Sequence, residues 1–229
     1  QMLQMKCPEC EGIISSPFLI EIGSISCNQC KEDVAVKDVY VKTNLFIMHR
    51  DTLLKRVRHY RALLNEVESE KVLLEKSEGS SMSAPKSLDQ YYYALRELLE
   101  ASRGNYRLEI SQDLPLDIEQ AGATSCGWLI NLSSKGAAIK TESRHNGPRQ
   151  GSEVKLRLTL PVNTEPLSIT AEISWTGKSE KGEGQTTTTM GVRFIKEDEE
   201  SQSCIWNYIV ATVEESQNVG KTKPSHEIS

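Results

Sequence analysis

The sequence predicts a multi-domain α+β chain, and three observations carry that expectation. Two Cys-x-x-Cys pairs open it, Cys7/Cys10 and Cys27/Cys30. A stretch without Pro or Gly, rich in helix formers, runs from about Asn44 to Glu78. After Arg107 the apolar residues switch to period two, in short runs divided by turn residues. The expected order is a small metal-clasped module over 1–43 and a helical linker of coiled-coil character over 44–102. A six-stranded antiparallel β-barrel with a closing helix follows over 103–213, and a disordered tail over 214–229.

Composition narrows the function classes. Acidic residues outnumber basic ones, 32 to 27, for a formal charge of −5, which argues against a general polyanion binder. No apolar run approaches about 18 residues, so neither a membrane span nor a secretory leader is expected. Paired Cys-x-x-Cys turns indicate a metal more often than disulfides, and a reducing cytoplasm is the expected location.

The first module rests on the spacing C-x2-C-x16-C-x2-C. Each Cys-x-x-Cys turn lets two sulfurs reach one ion, and four thiolates make a closed tetrahedral zinc site. A module of about 40 residues buries little core, so metal binding, on the order of 10–16 kcal/mol apparent, must supply its folding free energy. The module resembles a zinc ribbon, with a hairpin expected between the knuckles from the alternation of Ile13 to Ile25. A filled four-thiolate shell leaves no position for a catalytic water, so Cys7, Cys10, Cys27 and Cys30 are assigned a structural Zn2+. The module is net acidic, which favours protein docking over nucleic acid.

In the linker, Leu53, Val57, Tyr60, Leu64, Val67, Lys71 and Leu74 follow 4-3-4-3-4-3 spacing, a heptad seam with a cation at one core position. This predicts a homodimer through the helix; the other reading is packing on the helix's own chain. Basic residues crowd the first half (Arg50, Lys55, Arg56, Arg58, Arg61) and acidic ones the second (Glu66, Glu68, Glu70, Glu75, Glu78), which an antiparallel partner would complement. Gly79 to Pro85 reads as a flexible break. A second helix is expected from Ser87, capped with Gln90, carrying Leu88, Tyr92, Leu95 and Leu99 on its apolar side and ending near Gly104. Tyr91 to Tyr93 reads as packing rather than base stacking.

The β-region divides into Leu114–Ile118, Cys126–Leu132, Ala137–Thr141, Glu153–Leu160, Leu167–Ser174 and Met190–Ile195. Pro115 places the first of these at an edge. Turn signals are Asn146-Gly-Pro148, Pro161 and the Gly/Thr-rich stretch from Gly177 to Thr189. The closing helix, about Glu199 to Val213, carries Ile205, Tyr208, Ile209 and Thr212 on one side. Cys126 and Cys204 are expected in the core.

Two motifs bring chemistry to this region. Arg103-Gly-Asn-Tyr-Arg107 is RxxxR, and Asn131-Leu-Ser-Ser-Lys-Gly136 is NxSxxG. A guanidinium forks onto two acceptors, stacks on π faces and keeps its charge, so it suits both guanine and phosphate. Asn131 and Ser133 share a face of a strand end, where amide and hydroxyl can read polar base edges. Gly136 permits a positive φ and close approach to the backbone. With Ile173-Ser-Trp175 and Met190-Gly-Val-Arg-Phe194, the motifs make residues of about 102–213 resemble the PilZ family of cyclic di-GMP receptors. The resemblance implies a small barrel in which Arg103 and Arg107 contact phosphate and guanine, Asn131 and Ser133 hold a guanine edge, and Gly136 shapes the turn. Asn131 stands where many members of that family carry Asp.

His49, His59, His145 and His226 are scattered, and no nucleophile–base pair, phosphate loop or paired-carboxylate signature is present, so no catalysis is predicted. The expected function is a non-enzymatic cyclic di-GMP receptor that relays binding to a downstream protein. It does so by reorienting the barrel against the helical and zinc-ribbon part. The alternatives are a zinc-ribbon nucleic-acid-binding regulator, resting on the basic stretch Arg50 to Arg61 alone, and a scaffold with a degenerate, non-binding barrel.

Overall fold

The computed structural model describes residues 2–76, 86–142, 149–161, 165–181, 185–196 and 198–219. The expected break at Gly79–Pro85, the turn at Asn146–Pro148, His145, His226 and the tail from 220 lie outside them. The chain divides into two compact units, Gln1–Tyr106 and Arg107–Ser229.

In the first unit, strands β1 (Met2–Lys6), β2 (Ile13–Ser15), β5 (Tyr40–Lys42) and β6 (Ile47–His49) form a sheet in the order β2-β1-β5-β6. Strands β3 (Ser24–Ser26) and β4 (Asp33–Ala35) pair separately. The hairpin expected between the knuckles is replaced by two hairpins with a knuckle at the tip of each. Ile13 pairs back to Lys6, and Ser26 pairs forward to Asp33. The reason is local. Cys7 N–H donates to Gly12 O and Cys27 N–H to Glu32 O, so each Cys-x-x-Cys closes its own turn. Glu11 and Lys31, each just after the second cysteine of its pair, take positive φ of 58° and 67° to complete it.

Helix α1 (Arg50–Lys76) starts later than Asn44, because Phe46, Ile47 and Met48 are drawn into the β5–β6 hairpin. The Thr43 hydroxyl accepts the Leu45 and Phe46 amides at that turn. Helix α2 (Lys86–Ala101) already includes Ser87, so Ser87 is not its cap. The heptad seam is real in burial: Leu53, Tyr60 and Val67, one heptad apart, are buried. They join one core with Leu95, Leu98 and Ala101 of α2 and with Leu3, Met5 and Val41 of the cysteine module. The seam thus meets the same chain's second helix. Lys71, the cation in the seam, finds its partner there too, donating to Asp89 Oδ1 at 2.6 Å and lying 4.7 Å from the centre of the Tyr92 ring. Hydrogen bonding to the Asp89 carboxylate raises the Lys71 pKa. Tyr91 and Tyr92 pack as expected, whereas Tyr93 is exposed.

All six predicted strands form in the second unit: β7 (Leu108–Gln120), β8 (Ala123–Ser133), β9 (Gly136–Glu142), β10 (Glu153–Leu158), β11 (Leu167–Lys181) and β12 (Gln185–Lys196). They close as an antiparallel barrel in the order β10-β11-β12-β9-β8-β7, with β10 returning to β7. Ile118, Leu129, Ile139, Leu156, Ile169, Ile173 and Met190 fill its interior. Closure overturns the edge expectation for Pro115. That residue pairs with Trp128 on one side, and the β10 ladder begins only at Leu116, so its missing N–H falls outside the second ladder. Most of the Gly/Thr-rich stretch is strand: Gly177 to Lys181 pairs with Thr189 to Gln185, and residues 182–184 lie outside the described residues. Ala121 and Gly122, with φ of 49° and 80°, make the β7–β8 turn in the mirror-image form that suits strand twist. Cys126 is exposed, contrary to expectation, because Gly127 beside it takes the inward position; Cys204 is half-buried.

Helix α3 (Glu199–Val219) packs on β8 and β11 through Ile205, Tyr208, Ile209 and Val213. It continues past Val213, so the first part of the expected tail is helical. Asp198 caps it, accepting the Ser201 amide at 2.6 Å, and this bond holds the Asp198 carboxyl below its ordinary pKa. Among the described residues no helix is long and apolar enough to cross a membrane.

Candidate functional site: the outer face of the barrel and the cysteine cluster

Strand pairing assembles a surface from residues far apart in sequence. A β-bulge between Leu129 and Asn131 shifts the β8 register. After it, Leu132 points inward and Asn131 and Ser133 point outward. One row then crosses five strands on the outer face: Trp175 is opposite Gly191, Gly191 opposite Ala138, Ala138 opposite Asn131, and Asn131 opposite Glu109. A second row runs beside it: Glu172, Arg193, Gly136, Ser133. Leu108 pairs with Leu132, and Arg107 immediately precedes this first pair of β7.

The middle of both rows is low, because Gly191, Ala138 and Gly136 carry little or no side chain. The ends are tall and chemically distinct. Trp175 is 43% exposed, and its indole covers Gly191: a Cβ there would lie 2.0 Å from Trp175 Nε1. Arg193 is held by Glu172 at 3.0 Å. From Trp175 to Asn131 is three strand spacings, roughly 14 Å. The open floor is the part over Ala138 and Gly136, with the indole lying over Gly191 on one side and the Asn131 amide on the other, a shape that suits a flat, polar ligand.

Three of the predicted site residues therefore sit together, and each also has a part in the barrel itself. Ser133 is 6% exposed and is used within the turn: its hydroxyl donates to Gly136 O at 2.9 Å and accepts from Lys135 N–H at 3.4 Å. Asn131 Oδ1 accepts the Ala138 N–H at 3.2 Å, so the side chain also stabilises the bulge. Gly136 does not adopt a positive φ; glycine is required because a Cβ would lie 2.2 Å from Val192 O of β12. Gly136→Ala is accordingly expected to destabilise the barrel by about 1–3 kcal/mol, measured as a lower urea midpoint.

The two arginines belong to different units. Arg103 pairs with Glu100 at 2.5 Å, and its carbonyl accepts from Arg50 Nη2 at 3.2 Å. Arg107 opens the second unit and is exposed. The segment between them is anchored on the first unit, where Glu21 accepts from Tyr106 N–H at 2.6 Å and from Asn105 Nδ2 at 3.2 Å. Trp175, Arg193 and Glu109 were not expected at this face. Outward alternation in Ile173-Ser-Trp175 and Met190–Phe194 was the available signal, but only cross-strand pairing aligns them with Asn131.

The cysteine cluster is as the spacing predicted. The four Sγ atoms lie within 4.8 Å of one another, with Cys7–Cys30 and Cys10–Cys27 each at 3.7 Å. Metal–sulfur bonds of about 2.3 Å in a tetrahedron require edges of about 3.8 Å, so the arrangement fits such an ion. The electrostatics fit it as well. Amides of Cys30 and Gln29 hydrogen-bond to the Cys27 sulfur and lower its pKa to about 6. At Cys30 the bond from the Glu32 amide pulls down, but burial and the three neighbouring thiols outweigh it and push the pKa up to about 12. Four thiolates this close form together only around a cation.

Residues 101–211 match the family model described as PilZ domain. No curated protein sequence matches the chain. Solved structures it is similar to include the PilZ domain of YcgR from Escherichia coli with c-di-GMP. That one is 15% identical, with 53% of this chain and 98% of that one covered at a TM-score of 0.43. The Bacillus subtilis inhibitor of motility is 16% identical, with 49% and 51% covered at 0.40. The K. pneumonia MrkH–c-di-GMP complex is 13% identical, with 51% and 54% covered at 0.43. The chain spans about half the length of the latter two.

Proposed function

Residues 101–211 being a PilZ domain, we propose that the chain is a non-enzymatic receptor for cyclic di-GMP. The observation that carries this reading is the pair of outer-face rows ending beside Arg107. Arg107 and Arg103 supply guanidiniums for phosphate and for the base. The Asn131 amide meets a guanine edge, and Trp175 offers a stacking face at the far end of the floor. Ser133 and Gly136 act indirectly by fixing the turn.

The relay follows from chain connectivity. Arg103 belongs to one unit and Arg107 to the other, so a ligand held by both acts on both. To engage, Arg103 must leave Glu100, and the ligand shifts the equilibrium only by the difference in its affinity for the two arrangements. Cys7, Cys10, Cys27 and Cys30 hold a structural zinc ion that keeps the first unit folded. The receiving partner is a protein docking on that unit. Self-association through α1 would use its outer side, with exposed Leu54 and Leu73, since α2 occupies the seam. Its basic first half would meet the acidic second half of an antiparallel copy.

Isothermal titration of the full chain with cyclic di-GMP, cyclic di-AMP and GTP tests the proposal. Saturable binding of cyclic di-GMP at micromolar concentration, with the other two much weaker, is expected. Absence of binding up to millimolar ligand would reject it.

A further inference from the structure

Asn131 uses its carbonyl inside the protein. The partner of Oδ1 is a backbone N–H, that of Ala138, which only an oxygen can meet, so the amide orientation is fixed. What remains for a ligand is the Nδ2 amino group, a donor, and the second lone pair of Oδ1. The Ser133 hydroxyl is committed to Gly136 O and Lys135 N–H. The arginines are donors only. A site made of these groups alone can satisfy guanine's acceptors, O6 and N7. For the two donors at N1 and N2 it has no charged acceptor, only the second lone pairs of Asn131 Oδ1 and the Ser133 hydroxyl, atoms already bonded within the barrel; N1–H separates guanine from adenine, and the N2 amino group separates it from hypoxanthine as well.

One carboxylate lies in the same row. Glu109 is opposite Asn131 in the β7–β8 ladder, points to the same outer face and is exposed. Among the described residues its side chain forms no ion pair and no hydrogen bond. Directly opposed side chains have Cβ atoms about 4.5–5.5 Å apart, close enough for both to reach one base edge. Arg107, two residues earlier, offsets the negative charge where phosphates must approach.

We infer that Glu109 is the residue that makes this face specific for guanine. Its carboxylate accepts N1–H and N2–H while Asn131 Nδ2 donates to O6. The inference rests on the reading of the barrel as a cyclic di-GMP receptor and names the group that sets its base preference.

The sign of one substitution separates this role from a bystander charge. A carboxylate merely near a ligand with two phosphates repels it, so removing the charge would tighten binding. A carboxylate that accepts two guanine protons does the reverse. Glu109→Gln and Glu109→Ala are titrated by calorimetry with cyclic di-GMP, with cyclic di-IMP, which lacks the N2 amino group, and with cyclic di-AMP. Wild type is expected to prefer cyclic di-GMP over both. Both variants are expected to bind it at least about tenfold more weakly, the loss of a charge-assisted bond, and to lose most of the preference over cyclic di-IMP. Circular dichroism should be unchanged, because the position is exposed. Unchanged or tighter binding with the preference intact overturns the role of Glu109 and leaves the receptor reading standing. A wild-type chain that binds none of the three overturns both.

Discussion

Withholding metal from the proposed zinc site of the four-cysteine cluster is expected to unfold the first unit while the barrel keeps its β-structure. The reason is the shared core. Leu3, Met5, Ile14, Val34 and Val41 lie on short strands anchored by the two knuckles, and they pack in the same cluster as Leu53, Tyr60, Leu95 and Leu98. Those strands are three to five residues long, too short to hold register without the clasp. Without a cation, thiols replace the thiolates, the tetrahedron loses its centre, and the helices lose the layer they pack on. Metal analysis should find about one zinc per chain. Adding a strong chelator, or replacing Cys27 with Ser, should reduce the helical signal at 222 nm and expose α1 to protease. The second unit's strands should remain protected in hydrogen exchange. Full helical signal after metal removal, verified by elemental analysis, would show that the core stands without the clasp.

Replacing Arg107 with Ala is expected to lower cyclic di-GMP affinity about a hundredfold without unfolding the barrel. Arg107 is exposed and precedes the first ladder pair, Leu108–Leu132, so its side chain supports no core contact. A charge-assisted hydrogen bond contributes about 1.5–3 kcal/mol, and stacking of a guanidinium on a base adds about 1 kcal/mol more. Together these correspond to about two orders of magnitude in dissociation constant. Arg103→Ala should cost less, because binding must first break the Arg103–Glu100 pair and that cost disappears with the side chain. Calorimetry on the two variants gives both numbers. Equal affinity for wild type and Arg107→Ala would remove this arginine from the site.

Much of the architecture was legible because it is periodic. Six runs of alternating residues became six strands, and the cysteine spacing became four sulfurs within reach of one ion. The heptad seam was also legible, but its partner was not. An apolar stripe looks the same whether a second copy or the next helix covers it, and Lys71 reads as a register device until Asp89 is seen beside it. The knuckle hairpins were misplaced for a similar reason: Ile13 to Ile25 alternates, yet alternation does not say which strand pairs with which.

The proposed face was half legible. NxSxxG lies on it and Arg107 borders it, while the bonds its residues make within the barrel were hidden. Ser133 reads as a ligand group from its hydroxyl, and only the folded turn shows that the same hydroxyl bonds to Gly136 O and Lys135 N–H. Gly136 reads as a positive-φ residue, and only the approach of Val192 O reveals a packing demand. Trp175, Gly191, Ala138, Asn131 and Glu109 come from five strands whose order in the barrel is not their order in the chain. No spacing rule aligns them.

The most direct test of the binding face is amide and indole resonance mapping of the full chain titrated with cyclic di-GMP. Saturable shifts are predicted at Glu109, Asn131, Ala138, Gly191 and Trp175 Nε1, with little change on β10. Shifts confined to other strands, or none at saturating ligand, would contradict the account.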